Sequence, residues 1–437
     1  DNLGPTFADL HHDPAVPAPD APIPVSVSVA DPDGVAAVTL WSSVAGAPFA
    51  AQTMTEVGGR WEATLTGQPA GTIVQIYVEA EDGVDARSSF PAAGPDSRAL
   101  IQVDDGRSST TGLHDFRIVM TGADSDWMHQ DVNLMSDDSV GATVVSSETE
   151  VFYDVGVRAK GSERGRPSTV RLGYGVRFHA EQPFRGSHGS VLLDRSQGVN
   201  FGQREVLLNL AMTHAGSVSG EYNDLVQALT PRPEHTGPAE LQLDRFSNLV
   251  LDAQFEAGGD GTRFEYELIY HPLTTDDGSP DGLKLPQPDG VIGTPLTDLG
   301  EDREAYRWNF LIKSNEREDD YGRLIDLCQA FGGPDFLEAA GEVIDVDQWL
   351  RAFAFATLSG ATDQYGGAGS QHNAQFYVRP EDGRVLYFPH DLDFFSSAQM
   401  PVVGNGDLAR LLDDPGNRRS YYGHLWDIVG RAYNGDY

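Results

Sequence analysis

The feature that most limits the folds open to this chain is a change of apolar rhythm along its length. In the first half, apolar and polar residues alternate in short runs, as in Ile23 to Val29, Val35 to Trp41 and Thr72 to Ala80. A period of two sends every second side chain to one face, which is what a half-buried strand requires. After Asp302 the apolar spacing becomes three and four, in Tyr321 to Phe331, Asp335 to Val343 and Val346 to Leu358. That is the pattern of amphipathic helices, with Asp335 and Asp345 placed near helix starts. One rhythm cannot serve the other element, so the chain reads as α+β, with an all-β front and a body whose helices come late.

With 437 residues the chain has room for two or three cores. Residues 1–20 are rich in Pro, Asp and Ala and read as a lead-in. Residues 21–108 read as an all-β sandwich, with turn signals at Asp31 to Gly34 and Glu81 to Gly83 between the strand runs. The pieces "DPDGV", "WEATL" and "YVEAEDG" resemble the immunoglobulin-like modules of bacterial secreted proteins. A boundary is expected near 105–112, followed by a second domain over 114–437. Strand patterns recur there at 116–120, 142–145, 150–157 and 174–178, a helical one at 203–212, and further strands at 249–253 and 264–270. Near the end, two apolar strand-like runs, 372–378 and 385–394, flank the turn 379–384 and predict a hairpin set between helices.

Charge narrows the range of partners. The chain carries 66 Asp and Glu against 30 Lys and Arg, a formal net charge of −36. Nucleic acid or an anionic membrane surface would meet like-charge repulsion, so neither is expected as a partner. A nucleotide remains open, since metal and a few cations can neutralise its phosphates locally. The lysines are three, Lys160, Lys284 and Lys313. The single cysteine, Cys328, sits in a helical pattern and reads as a small core residue, which removes disulfides and cysteine-based zinc from consideration. No apolar run approaches the roughly 18 residues of a membrane span.

The chemistry concentrates between Asp363 and Asp393. The predicted hairpin can gather Asp363, Asn373, Asp391 and Asp393 at one end of a sheet, behind the helix that begins at Val346. Phosphoryl transfer needs such a set: one carboxylate to take the hydroxyl proton, and an Asn and an Asp to hold Mg²⁺ against phosphates. Turns also favour Asp, Asn and Gly, so on residue types alone an acidic turn cluster accounts for the pattern equally well. His372 and His390 lack metal-ligand spacing and read as structural. A second stretch, Arg158 to Phe178, holds Lys160, Arg164, Arg171 and Arg177 around a Gly/Ser loop, a candidate phosphate lip or else a solvated basic strand. Third, Glu267 and Lys313 are candidates for an acid–lysine pair, with a plain surface lysine as the alternative.

Taken in order, the segments "RAKGSERGRPSTVRLGYGVRF", "FEYELIYHP", "YRWNFLIKSNEREDDYGRLIDL", "DVDQWLRAFAFATLSGATDQY", "QHNAQFYV" and "LYFPHDLDF" resemble the CotH (spore-coat protein H) kinase family over about residues 114–437. The resemblance implies a two-lobed, atypical protein-kinase-like domain. It further implies ATP with Mg²⁺ or Mn²⁺, and a secreted or surface protein as the Ser/Thr substrate. It assigns the catalytic role to Asp363 and metal ligation to Asn373 and Asp391, with Asp393 in support. Lys160, Arg164, Arg171, Arg177, Glu267 and Lys313 become candidates for nucleotide contacts. A non-catalytic surface scaffold with the same fold is the competing class, and a hydrolase using the Asp pair a third. Secretion or cell-surface exposure follows from the N-terminal module.

Overall fold

In the computed structural model, which describes residues 3–161, 165–170, 172–194, 199–218, 220–244, 246–271, 274–279, 282, 284–285, 289–392 and 400–434, the alternating front forms two antiparallel sheets. One runs in the order Thr6–His12, Ile23–Ala30, Arg60–Leu65, Thr55–Val57. The other runs Ala50–Thr53, Val35–Val44, Ile73–Asp82, Arg87–Phe90, with Ala99–Gln102 also paired to Ile73–Asp82. Val25 and Val27 of the first share one core with Val38, Leu40, Ile76 and Val78 of the second. This is the expected sandwich, and its first strand, Thr6–His12, lies inside the segment read as lead-in. The end of that strand is locked from within. The fully buried His12 places Nε2 3.0 Å from the Ala15 carbonyl and Nδ1 against the Tyr153 hydroxyl. A carbonyl only accepts, so Nε2 carries the proton and Nδ1 accepts from the tyrosine. Burial holds the imidazole pKa down at about 4.

The next strands close a barrel in the order His114–Val119, Val140–Ser146, Glu150–Lys160, Gly173–Arg177, Ser190–Asp194, Gly237–Asp244, Tyr222–Leu229. A parallel pairing of His114–Val119 with Tyr222–Leu229 completes the ring. Contacts divide the chain into a first unit of 1–196 with 225–241 and a second of 197–224 with 242–437. The segment expected as a linker is thus internal to the first unit. The fully buried Arg117 guanidinium ties it down, reaching Gln102 Oε1 and Asp105 Oδ1 at 3.0 Å and Glu148 on its other edge.

The second unit is mixed α+β. Its four-stranded antiparallel sheet runs Phe310–Ile312, Thr262–Tyr266, Ala374–Val378, Val385–Pro389, so the predicted closing hairpin is present. Alternation divides that sheet into an aromatic face and a mixed one, where Arg263, Glu265 and Gln375 alternate with the buried Tyr377, Leu386 and Phe388. Phe264, Tyr266, Phe310, Phe376 and Tyr387 share the first, where Tyr266 and Phe310 stack at 4.9 Å. Helix Val346–Ser359 lies on it, with Trp349 stacked on Phe376 at 5.7 Å and its indole N–H donating to the Val385 carbonyl at 2.8 Å. Asp345 caps the helix by accepting from the Gln348 N–H, and Gly360 at φ 70° ends it. From the same helix, the buried Arg351 donates Nε to the carbonyls of Gly216 (2.8 Å) and Ala215 (3.1 Å), closing the end of helix Val199–Ala215. Cys328 is fully buried in helix Gly322–Gly332, its thiol pushed up to about 12 by burial. The run 249–253, read as a strand, is instead part of helix Asn248–Gln254. Ser247 caps it by accepting from the Leu249 N–H at 3.1 Å, and short apolar runs do not by themselves distinguish the two elements.

Two outcomes follow. An unfolded His12 takes up a proton below its ordinary value of about 6.5, whereas the folded one resists until about pH 4. The first unit therefore loses stability as pH falls through that window, and a His12→Gln chain lacks this part of the slope in urea titrations between pH 7.5 and 4. Trp349→Ala removes the centre of the aromatic face and is expected to cost the second unit about 3–5 kcal/mol in the same assay.

Candidate functional site

The last paired rung of the second unit's sheet joins Phe310, Tyr266, Ala374 and Pro389 across four strands. One residue further along each strand come Asn309, Glu267, Asn373 and His390, so these four line up at one end of the sheet. Glu267 is still tied to the edge strand, its N–H donating to the Asn309 carbonyl at 2.8 Å. Glu265, two residues back, shares a face with Glu267 by alternation. Both faces are packed, one under the helix and the other with Tyr377 and Phe388 against Phe255, and the charged side chains gather toward the sheet end.

Asn373 and Asp391 stand just outside the hairpin strands, both in the left-handed region at φ 56° and 55°. Asn and Asp tolerate that region better than other non-glycine residues, and each ends its strand there. The buried Asn373 donates Nδ2 to the Asp363 carbonyl at 2.5 Å. Asp363 reaches the same place from the helix side. Its neighbour Gln364 is fully buried and accepts from the Gly366 N–H at 2.9 Å and the Tyr387 hydroxyl at 3.2 Å, fixing the backbone beneath a carboxylate that is itself half exposed. The bridge between them, Tyr365–Ala368, is a single helical turn. A side chain at Gly366 would run into the Tyr387 hydroxyl and the Ala356 methyl, so glycine is needed there for close approach.

Two histidines complete the set. His372 Nε2 lies 3.1 Å from Asp363 Oδ1, while its buried Nδ1 has no hydrogen-bond partner. Burial alone would lower its pKa, but the carboxylate of Asp363, then Glu267 and Asp391, hold it above the ordinary value. Glu267 is pushed up, first by burial and then by Glu265 and Asp391, against the pull of the Leu268 N–H and His372. His390 places Nδ1 2.9 Å from Glu221 Oε1 and Nε2 3.8 Å from Glu265 Oε1. The other oxygen of Glu265 pairs with Lys313 Nζ at 2.6 Å.

The structure therefore brings Asp363, Asn373, Asp391 and Glu267 together, with Lys313 joined through Glu265 rather than through Glu267. Asp393, Arg164 and Arg171 lie outside the described residues. Lys160 and Arg177 belong to the first unit, where Lys160 is paired with Asp194 and Arg177 is exposed at the end of its strand. The residues that sequence reasoning passed over are Glu221 and Glu265. Glu265 was detectable, because two glutamates spaced by two on a strand must share a face; Glu221 carries no local signal. For a hard cation the oxygen donors of Asn373 and Asp391 are of a suitable kind. Among the described residues the triad of His, Cys, Asp or Glu that could hold a metal ion, with ligand atoms within 4.8 Å of one another, is Asp31, Asp33 and Asp82 in the sandwich.

Residues 294–423 match the family model described as CotH kinase protein. The matched span contains helix Val346–Ser359, Asp363, His372, Asn373, the hairpin and Asp391. No curated protein matches the chain. Among solved structures, a bromine derivative of BhCBM56 is 14% identical, over 19% of this chain and 92% of its own, with a TM-score of 0.16. The cycloalternan-forming enzyme of Listeria monocytogenes is 11% identical over 43% of this chain and 17% of its own, with a TM-score of 0.18. The twitchin kinase region of C. elegans is 11% identical over 53% of this chain and 40% of its own, with a TM-score of 0.17. Likeness at that level bears on neither fold nor activity.

Replacing Gln364 by Ala leaves the Gly366 N–H and the Tyr387 hydroxyl without their buried acceptor. A loss of about 1–3 kcal/mol in urea unfolding is expected.

Proposed function

We propose that this chain is a CotH-type protein kinase of two-lobed, kinase-like build that acts outside the cell or at its surface. It would move the γ-phosphoryl group of ATP to a Ser or Thr hydroxyl of a protein substrate. The observation that carries the reading is that the span matching the CotH kinase family contains Asp363, Asn373 and Asp391, and that these stand together at one sheet end. In the step itself the acceptor oxygen bonds to the γ-phosphorus as its proton passes to the Asp363 carboxylate. The bond from phosphorus to the bridging oxygen breaks, and ADP leaves. His372 keeps one oxygen of Asp363 occupied, which orients the other toward the acceptor. Asn373 Oδ1 and the Asp391 carboxylate would hold Mg²⁺ or Mn²⁺, and Asp393 is assigned to the same group. A divalent ion there supplies charge neutralisation for the phosphates. Lys313, held by Glu265, is assigned to the nucleotide phosphates. No helix among the described residues is long and apolar enough to cross a membrane, and the secreted or surface location is part of the proposal.

Mn²⁺ with ATP is expected to raise the melting temperature of the parent chain but not that of Asp391→Ala. Asp363→Asn should keep the stabilisation while transfer to a Ser-rich peptide slows by about 10²-fold or more. A parent chain that gains no stability from nucleotide and metal would rule out the kinase reading. Stabilisation without transfer would favour the non-catalytic scaffold.

A further inference from the structure

The proposed metal ligand Asp391 follows a histidine whose surroundings are unusual for a core residue. His390 is almost fully buried, and it faces a carboxylate from each side. Glu221, which immediately precedes strand Tyr222–Leu229, approaches Nδ1 at 2.9 Å. Glu265, from strand Thr262–Tyr266, approaches Nε2 at 3.8 Å and continues to Lys313 at 2.6 Å. The result is a chain of ionisable groups, Glu221, His390, Glu265 and Lys313, that passes from the core to a partly exposed ammonium. A buried carboxylate stays in a core only when partnered, and removing the partner is costly, so this arrangement has little freedom to relax.

The backbone turns sharply at the next residue, where Asp391 occupies the left-handed region. Asp tolerates that conformation, but the direction its carboxylate takes depends on what holds the turn. The hairpin ladder cannot hold it, because it ends at Pro389. The ring of His390 lies one residue from the turn, held at Nδ1 by Glu221 and with the Glu265 carboxylate 3.8 Å from Nε2.

We infer that Glu221 and Glu265 are positioning residues that act through His390 to fix the direction of the Asp391 carboxylate. The inference rests on the assignment of Asp391 as a metal ligand in the reading above. Partners of this outer kind typically shift metal affinity by about 10–100-fold when removed.

The test uses the full chain and Mn²⁺ with a non-hydrolysable ATP analogue, with bound Mn²⁺ followed by electron paramagnetic resonance. Glu221→Gln keeps the volume but replaces the carboxylate, and it is expected to raise the half-saturating Mn²⁺ concentration about 10-fold. In turnover assays the same shift should appear in the metal dependence and not in KM for the peptide. Glu265→Gln, nearer the surface, should move it in the same direction and serves where Glu221→Gln does not fold. If Asp391→Ala loses Mn²⁺ binding while both Gln variants bind it like the parent, the positioning role is wrong and the metal assignment stands. If Asp391→Ala also binds like the parent, both fall together.

Discussion

Everything at the sheet end depends on the stacking of Trp349 against Phe376. That contact fixes which face of the 374–378 strand looks inward, and through the ladder it fixes the faces of the other three strands. Once Phe376, Tyr266 and Tyr387 are committed to the helix, Glu265 and Gln375 can only point the other way. On that other face Tyr377 and Phe388 pack against Phe255, and the polar residues are left toward the sheet end. The aromatic layer and the charged cluster are two consequences of one alternation.

The acidic cluster is also a problem that the fold has to contain. Burial pushes Glu267 toward its neutral form, and the neighbouring carboxylates of Glu265 and Asp391 add to that push. The countercharges are few and carefully spent. Lys313 answers Glu265, His372 answers Asp363, and His390 stands between Glu221 and Glu265. Such a surplus of negative charge is costly to hold in a fold, and it is where the proposed function places its cation.

Much of this was legible in the sequence. The hairpin 374–389, the helix starting at Val346 and the meeting of Asp363 with Asn373 follow from periodicity and turn residues whose effects are local. What escaped depended on partners far away in sequence. Glu221 reaches His390, 169 positions further along the chain, through a geometry that no local pattern encodes. Residues 249–253 form a helix because Ser247 caps them, although their composition suits a strand equally well. The strand Thr6–His12 went unread because its partner, Ile23–Ala30, supplies much of the reason for it to be extended. The pairing of Lys313 with Glu265 rather than Glu267 was a matter of register, which side-chain type does not reveal.

Asn373 and Asp391 flank the hairpin almost symmetrically, each in the left-handed region one or two residues beyond the ladder. They divide the hairpin into parts with different tolerance for change in length. The turn at 379–384 lies at the opposite end from Asn373 and Asp391, and residues can be gained or lost there without moving either terminus. A single residue removed between Ala374 and Val378 would instead invert the strand, sending Phe376 outward and bringing polar groups against Trp349. Variation in length is therefore confined to the turn, while the strands on which Asn373 and Asp391 are hung must keep their count.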